Sequence, residues 1–381
     1  MKRNVEADTV KGICIILMLL GHCGFLYYNL IYLFHMPVFF ILSGYFVSEN
    51  QWKDKQSYLH LLKKRIKSLY VPLVACNIVF LLLHNIFIKC GIINGISEFQ
   101  NEELKILSDN YYSVLDIVGK LIRIISFNWL CWSNFTDPTW FIWILFWVTL
   151  LYSLLQMCCK QIKEKNKIIL LSIISVVLLI LSYSWYSSGL KIVVMGVNYA
   201  EGIQILMSVF VLYHGGFLLK KTAFLTDIGK KVSFWCIFAC SGVILYVLYK
   251  YGNGETLALN KNYIVNPVFY LISSFSGLFF CWGIAFIMRK LYIWKIFSFI
   301  GQNTMCILLL HLLSFKIVNL IQIFVYHYPM YYLAAFPFIP YNGYWWAAYT
   351  LCGVIVPIGI KLLGSFIKKK YSNMMANKSK C

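Results

Sequence analysis

Apolar runs of about 20 residues, the length that crosses a bilayer's hydrocarbon core, recur from the first twenty residues of the chain to its last forty. Their spacing predicts ten membrane spans, at 10–30, 35–49, 69–89, 140–159, 167–186, 201–219, 232–250, 267–288, 296–325 and 344–367, followed by a tail at 368–381. Connections are short except for 90–139, and neither a repeat nor a low-complexity linker divides the chain. The pattern therefore predicts an all-α, polytopic membrane bundle forming one domain over residues 1–381. Inside the long loop, apolar positions from Val114 to Phe127 recur at helical spacing but are too mixed with charge for a span. They predict an amphipathic helix lying in the interface or covering a cavity.

Composition strengthens this picture. Of 381 residues, 60% are hydrophobic and 13% charged, far from the balance of a soluble domain. Thirteen cysteines lie scattered, with no C-x-x-C pair, so neither a metal site nor a disulfide framework is expected. Lys2 and Arg3 precede an apolar run that lacks a small-residue cleavage site, which predicts a retained first span.

The net charge of +20 raises the question of nucleic acid, and the placement of the charges answers it. With ten spans, 25 of the 34 basic residues fall on one side: Lys2 to Lys11, Lys53 to Lys67, Lys160 to Lys167, Lys220 to Lys231, Arg289 to Lys295, and Lys368 to Lys380. The loop 90–139 on the other side carries six acids against three bases. This follows the positive-inside rule. The basicity is topology plus attraction to anionic lipid, no nucleic-acid partner is expected, and both termini should be cytoplasmic in a multi-pass protein of the cell membrane.

Ionisable side chains in hydrocarbon are costly and face the bundle interior or a wet cavity. His22, His35, His311 and Lys316 are such residues, and Glu201 joins them at the outer end of the sixth span. His22 follows Lys11 by eleven residues, about 16 Å along a helix, which places it near mid-membrane if Lys11 marks the surface. His35 opens the second span, beside Pro37. A neutral buried imidazole suits a general base acting on a hydroxyl; a helix-to-helix hydrogen bond is the plainer alternative for each histidine. Ser43-Gly44 marks a place where another backbone can approach closely. Lys316, Asn319 and Gln322 fall on one helical face that should look inward, either stabilising an oxyanion or bonding neighbouring helices.

Several segments carry a resemblance. D-T-V-K-G at 8–12, the Lys11–His22 spacing, FHMPVFFILSGYF at 34–46, PTWF at 138–141 and IGQNTMCILLLH at 300–311 together resemble the acyltransferase-3 family of membrane O-acyltransferases, most closely its fucose 4-O-acetylase-like branch. That resemblance implies transfer of an acyl group, usually acetyl, from acyl-CoA to a hydroxyl of a sugar or polysaccharide, with acetyl-CoA as a co-substrate and no permanently bound cofactor. It implies that Lys11 meets coenzyme A phosphates, although the family more often has arginine there, and lysine offers only a point charge. His22 would be the principal base, or the carrier of an acyl-histidine intermediate, with His35 orienting the acceptor or sharing the base role. Trp140 and Phe141 would offer an apolar face to the sugar ring, as an interfacial aromatic belt also would, and Glu201, His311 and Lys316 would complete the substrate side. A transporter or flippase using the same buried groups as a proton relay is the rival class. Inverted repeats would then break corresponding spans in the two halves, whereas these polar residues cluster in the first hairpin and the ninth span.

Overall fold

A computed structural model of the chain describes residues 4–95, 104–129, 133–194, 197–225, 233–252, 259, 264, 266–340 and 343–378. Its helices are α1 (Val5–His22), α2 (Tyr28–Tyr32), α3 (His35–Tyr45), α4 (Lys55–Lys89), α5 (Val114–Ile125), α6 (Trp140–Cys158), α7 (Glu164–Ser188), α8 (Ala200–Lys221), α9 (Ser233–Tyr251), α10 (Pro267–Lys290), α11 (Trp294–Gln302), α12 (Thr304–Tyr326) and α13 (Trp345–Lys378). A two-residue hairpin pairs Val193–Val194 with Val197–Asn198. The molecule is an all-α membrane bundle, as the hydropathy pattern predicts.

Among the described residues, eight helices are long and apolar enough to cross a membrane: α4, α6 with the turn that precedes it, α7, α8, α9, α10, α12 and α13. The first two predicted spans take a different form. α1 has 18 residues with Glu6, Asp8 and Lys11 near its start, and it ends at His22 because Gly24, with φ of 73°, turns the chain away. α3 has 11 residues, about 16 Å of helix against a hydrocarbon core of about 30 Å. All of them except Ser43 are buried, so α3 is sheathed in protein rather than lipid. The predicted ninth span, 296–325, is divided at Asn303 into α11 and α12.

Two helix crossings hold this buried hairpin. On α3 and α8, a methyl group at Gly44 would overlap the Tyr213 carbonyl oxygen, and one at Gly216 would overlap that of Ile41. The same reciprocity joins α1 to α11, where Gly12 faces the Phe297 carbonyl and Gly301 faces that of Asp8. Without hydrophobic exclusion to drive helices together in lipid, close backbone approach of this kind is what gives them contact area.

The basic ends of the helices meet at one end of the bundle. Lys220 donates to the Val47 carbonyl at 2.5 Å, Lys221 pairs with Glu164 and, at 3.4 Å, with Glu49, Arg289 pairs with Glu6, and Lys361 donates to Asn303 at 2.6 Å. The loop 104–129 lies at the other end. There Ser113 and Asp116 form a capping box that starts α5. Val114, Leu115, Val118, Ile122 and Ile125 stay exposed while Ile117, Leu121 and Ile124 pack inward. The helix predicted over 114–127 is therefore present, with an apolar outer stripe fit for the membrane interface.

Candidate active site

His22 closes α1, and the ring of His311, from the middle of α12, lies with its centroid 5.5 Å away. His311 is wholly buried, and its Nδ1 sits 3.0 Å from the Ile307 carbonyl and 3.1 Å from that of Leu308. A carbonyl only accepts, so Nδ1 carries the proton and Nε2 holds the lone pair. That Nε2 is buried and has no hydrogen-bond partner among the described residues. His35 is built alike: its Nδ1 donates to the Ile31 carbonyl at 2.9 Å, and its ring stacks on Tyr32 at 5.3 Å. The Tyr32 hydroxyl in turn donates to the Gly21 carbonyl at 2.7 Å, which ties α2 to the last turn of α1. His22 is the electrostatic neighbour of both other histidines. Unlike them it keeps partial exposure deep in the bundle, so its ring borders open space.

A cavity of about 470 Å³ runs beside this cluster. Its lining passes from Lys11, Arg65 and Gln302 at the basic end to Phe39, Phe141 and Leu308, the last of these one turn before His311. The Lys11 ammonium stands 4.6 Å over the Phe46 ring and 3.7 Å from Asp8. Arg65 is a cavity residue that sequence reasoning did not single out. It directly precedes a π-helical turn, Ile66–Tyr70, in α4. The extra residue of such a turn redirects side chains, and π turns recur at functional sites. Here it brings Arg65, Ser68 and Leu69 to the cavity wall; the Arg65 guanidinium neighbours the Tyr213 hydroxyl, and its Nε is buried with no hydrogen-bond partner among the described residues.

The other predicted residues divide. Phe141 lines the cavity and meets Phe39 and Phe40, with centroids at 5.8 and 6.3 Å. Trp140 is buried in the first turn of α6 and is not part of that lining. Lys316 is buried and faces away from His22: its ammonium donates to the carbonyls of Leu333 and Ala335 at 2.9 and 2.8 Å. Asn319 donates to Ala335 and accepts from the Tyr349 hydroxyl at 2.6 Å, and Gln322 donates to that hydroxyl at 2.9 Å. The inward-facing stripe predicted on α12 is therefore present and serves to pin the segment 330–339 and α13 to the bundle. Glu201 is half-buried in the first turn of α8 and is not part of the cavity lining.

No curated protein and no solved structure matches this sequence significantly. A family model described as an acyltransferase domain, that of the acyltransferase-3 family, matches residues 4–364, without distinguishing a branch within it. Since that match takes in α1 to α12, most of α13, the His22–His311 pair and every residue lining the Lys11 cavity, the chain belongs to the acyltransferase-3 family and is a membrane acyltransferase.

Proposed function

We propose that the protein moves an acyl group, acetyl in the first instance, from a coenzyme A thioester to a hydroxyl of a sugar or cell-surface polysaccharide. The observation that carries this is the placement of two cations, Lys11 and Arg65, on the lining of a cavity that reaches Leu308, one turn of α12 before the His311 that packs on His22. Coenzyme A is polyanionic at one end and reactive at the other. Arg65 supplies the planar donor fork that suits phosphate, and Lys11 adds a point charge. Most of the chain's basic residues gather at this end, so the positive-inside rule makes it cytoplasmic, where acyl-CoA is available.

In the transfer, His22 takes the proton from the acceptor hydroxyl as its oxygen attacks the thioester carbonyl. The tetrahedral intermediate collapses, the C–S bond breaks, and the imidazolium returns the proton to the departing thiolate. The carbonyl-fixed tautomer of His311 keeps a lone pair at Nε2 that can receive the other N–H of the His22 imidazolium. On this reading His35, held by Tyr32 and Ile31, orients the acceptor.

Arg65→Ala should raise the KM for acetyl-CoA about tenfold or more, the scale of one lost charge-assisted contact, while kcat changes little; purified protein with radiolabelled acetyl-CoA reads this split. The broader test is mass spectrometry of surface glycans from cells with and without the protein. Loss of O-acyl groups, with the glycans themselves still exported, is expected. Glycans identical in the two strains would refute the acceptor class.

A further inference from the structure

A second polar cavity, of about 240 Å³, lies at the end of the bundle opposite Lys11, between α4 and α5. His84 is nineteen residues beyond Arg65 on α4, about 28 Å along the helix. The lining includes Asn77, His84, Asp109, Tyr112, Lys120 and Arg123, none of which has a place in the transfer chemistry. The residues are held firmly. The rings of His84 and Tyr112 stack with centroids 3.5 Å apart and planes 1° from parallel. The Lys120 ammonium stands 4.4 Å from the Tyr112 centroid, necessarily on the face that His84 leaves open. His84 Nε2 donates to the Asn110 carbonyl at 3.0 Å, and the Tyr112 hydroxyl donates to Asp109 at 2.6 Å. Burial and this carboxylate push the Tyr112 phenol up, so it remains a donor.

Charge decides what such a cavity can take. At the Lys11 cavity two lining cations, Lys11 and Arg65, outweigh the neighbouring Asp8 carboxylate, 3.7 Å from the Lys11 ammonium, a positive balance that suits a phosphate. Here Asp109 lies among the lining groups, and Asp116, one turn before Lys120, offsets that ammonium. A phosphate would meet a carboxylate of its own sign. A neutral polyol would not, because each hydroxyl both donates and accepts: Asp109 has unused acceptor capacity, and Arg123 presents up to five donors with no partner among the described residues. The cavity is smaller than a drug-sized pocket of roughly 300–1,000 Å³ and suits one sugar ring. The chain itself connects this cavity to the wall of the transfer site. Asn77 Oδ1 accepts from the Ser133 amide at 2.9 Å and the Thr136 hydroxyl at 2.6 Å, and Thr136 belongs to the 3-10 turn Asn134–Thr139 that runs directly into Trp140 and Phe141.

We propose that the cavity formed by Asn77, His84, Asp109, Tyr112, Lys120 and Arg123 is a binding site for a neutral sugar residue, a subsite that holds the glycan acceptor on the side of the transfer centre opposite the acyl donor. It rests on the glycan-acceptor reading for the identity of its ligand, and its test is kept separate from turnover. Saturation-transfer NMR on the full-length protein in detergent, with glucose, galactose and N-acetylglucosamine as probes, should give a signal for at least one of them. Asp109→Asn, at a half-buried position where the amide oxygen can still accept from the Tyr112 hydroxyl, and Arg123→Gln, at an exposed one, should leave the His84–Tyr112 stack in place and each weaken that signal about tenfold. His22→Gln should keep it, so that loss of transfer and loss of binding are distinguished. Absence of signal from all three sugars, a signal indifferent to Asp109 and Arg123, or its displacement by inorganic phosphate would each overturn the proposal, the last by showing an anion site.

Discussion

His22→Gln is expected to lower acyl transfer by about 10²- to 10⁴-fold, the range attributable to one general base, with little change in the amount of folded protein. Glutamine keeps hydrogen-bonding capacity and approximate size, and among the described residues His22 makes a ring contact to His311 and is partly exposed. His311→Gln provides the contrast. Its Nδ1–H is bound to the main chain of its own helix and its Nε2 has no partner among the described residues; on the proposed mechanism it acts through His22, so its loss should cost less, on the order of 10²-fold. The double variant should be close to His22→Gln alone, because residues that act as one unit are not additive. The measurement is single-turnover transfer from radiolabelled acetyl-CoA. Full activity in His22→Gln would remove His22 from the chemistry, and independent, multiplying losses would remove the dyad.

The parts of this site that could be seen in the sequence are those whose signal is local. A histidine inside an apolar run, a glycine beside a serine and a helical apolar period in a charged loop each stand out against their neighbours. His22, His35, Gly44 and α5 are of this kind. Arg65 was invisible for the opposite reason: Lys63, Lys64 and Lys67 surround it, and nothing in a basic run tells which member a π-helical turn will aim at a cavity. The meeting of His22 with His311, 289 positions later, is a tertiary fact, and so is the capture of Lys316 by main-chain carbonyls at 333 and 335. Hydropathy also overstated the first hairpin. It counts apolar residues but does not register that Gly24 ends one helix, or that the next is covered by protein. An apolar residue facing lipid and one facing α8 look the same in sequence.

That burial makes the α3–α8 crossing a sensitive packing point. Gly44→Ala places a methyl group into the Tyr213 carbonyl oxygen, a backbone atom that no rotamer change can move aside. Relief requires the two helices to separate, which shifts Ser43 and Phe39 on the cavity wall and exposes an unpaired interface to lipid. A destabilisation above about 4 kcal/mol is expected, since it exceeds the 1–3 kcal/mol of ordinary overpacking. Gly119→Ala, on exposed α5 with nothing within 4 Å, is the control and should be neutral or stabilising by up to about 1 kcal/mol. Thermal unfolding followed by fluorescence-detected size exclusion compares them. Because Gly216 meets α3 at the same crossing, separation forced by one methyl group makes room for the other. The Gly44→Ala, Gly216→Ala double variant should therefore lose less than the sum of the single losses. Strict additivity, or a Gly44→Ala protein as stable as the control, would mean that α3 is held by something other than this backbone contact.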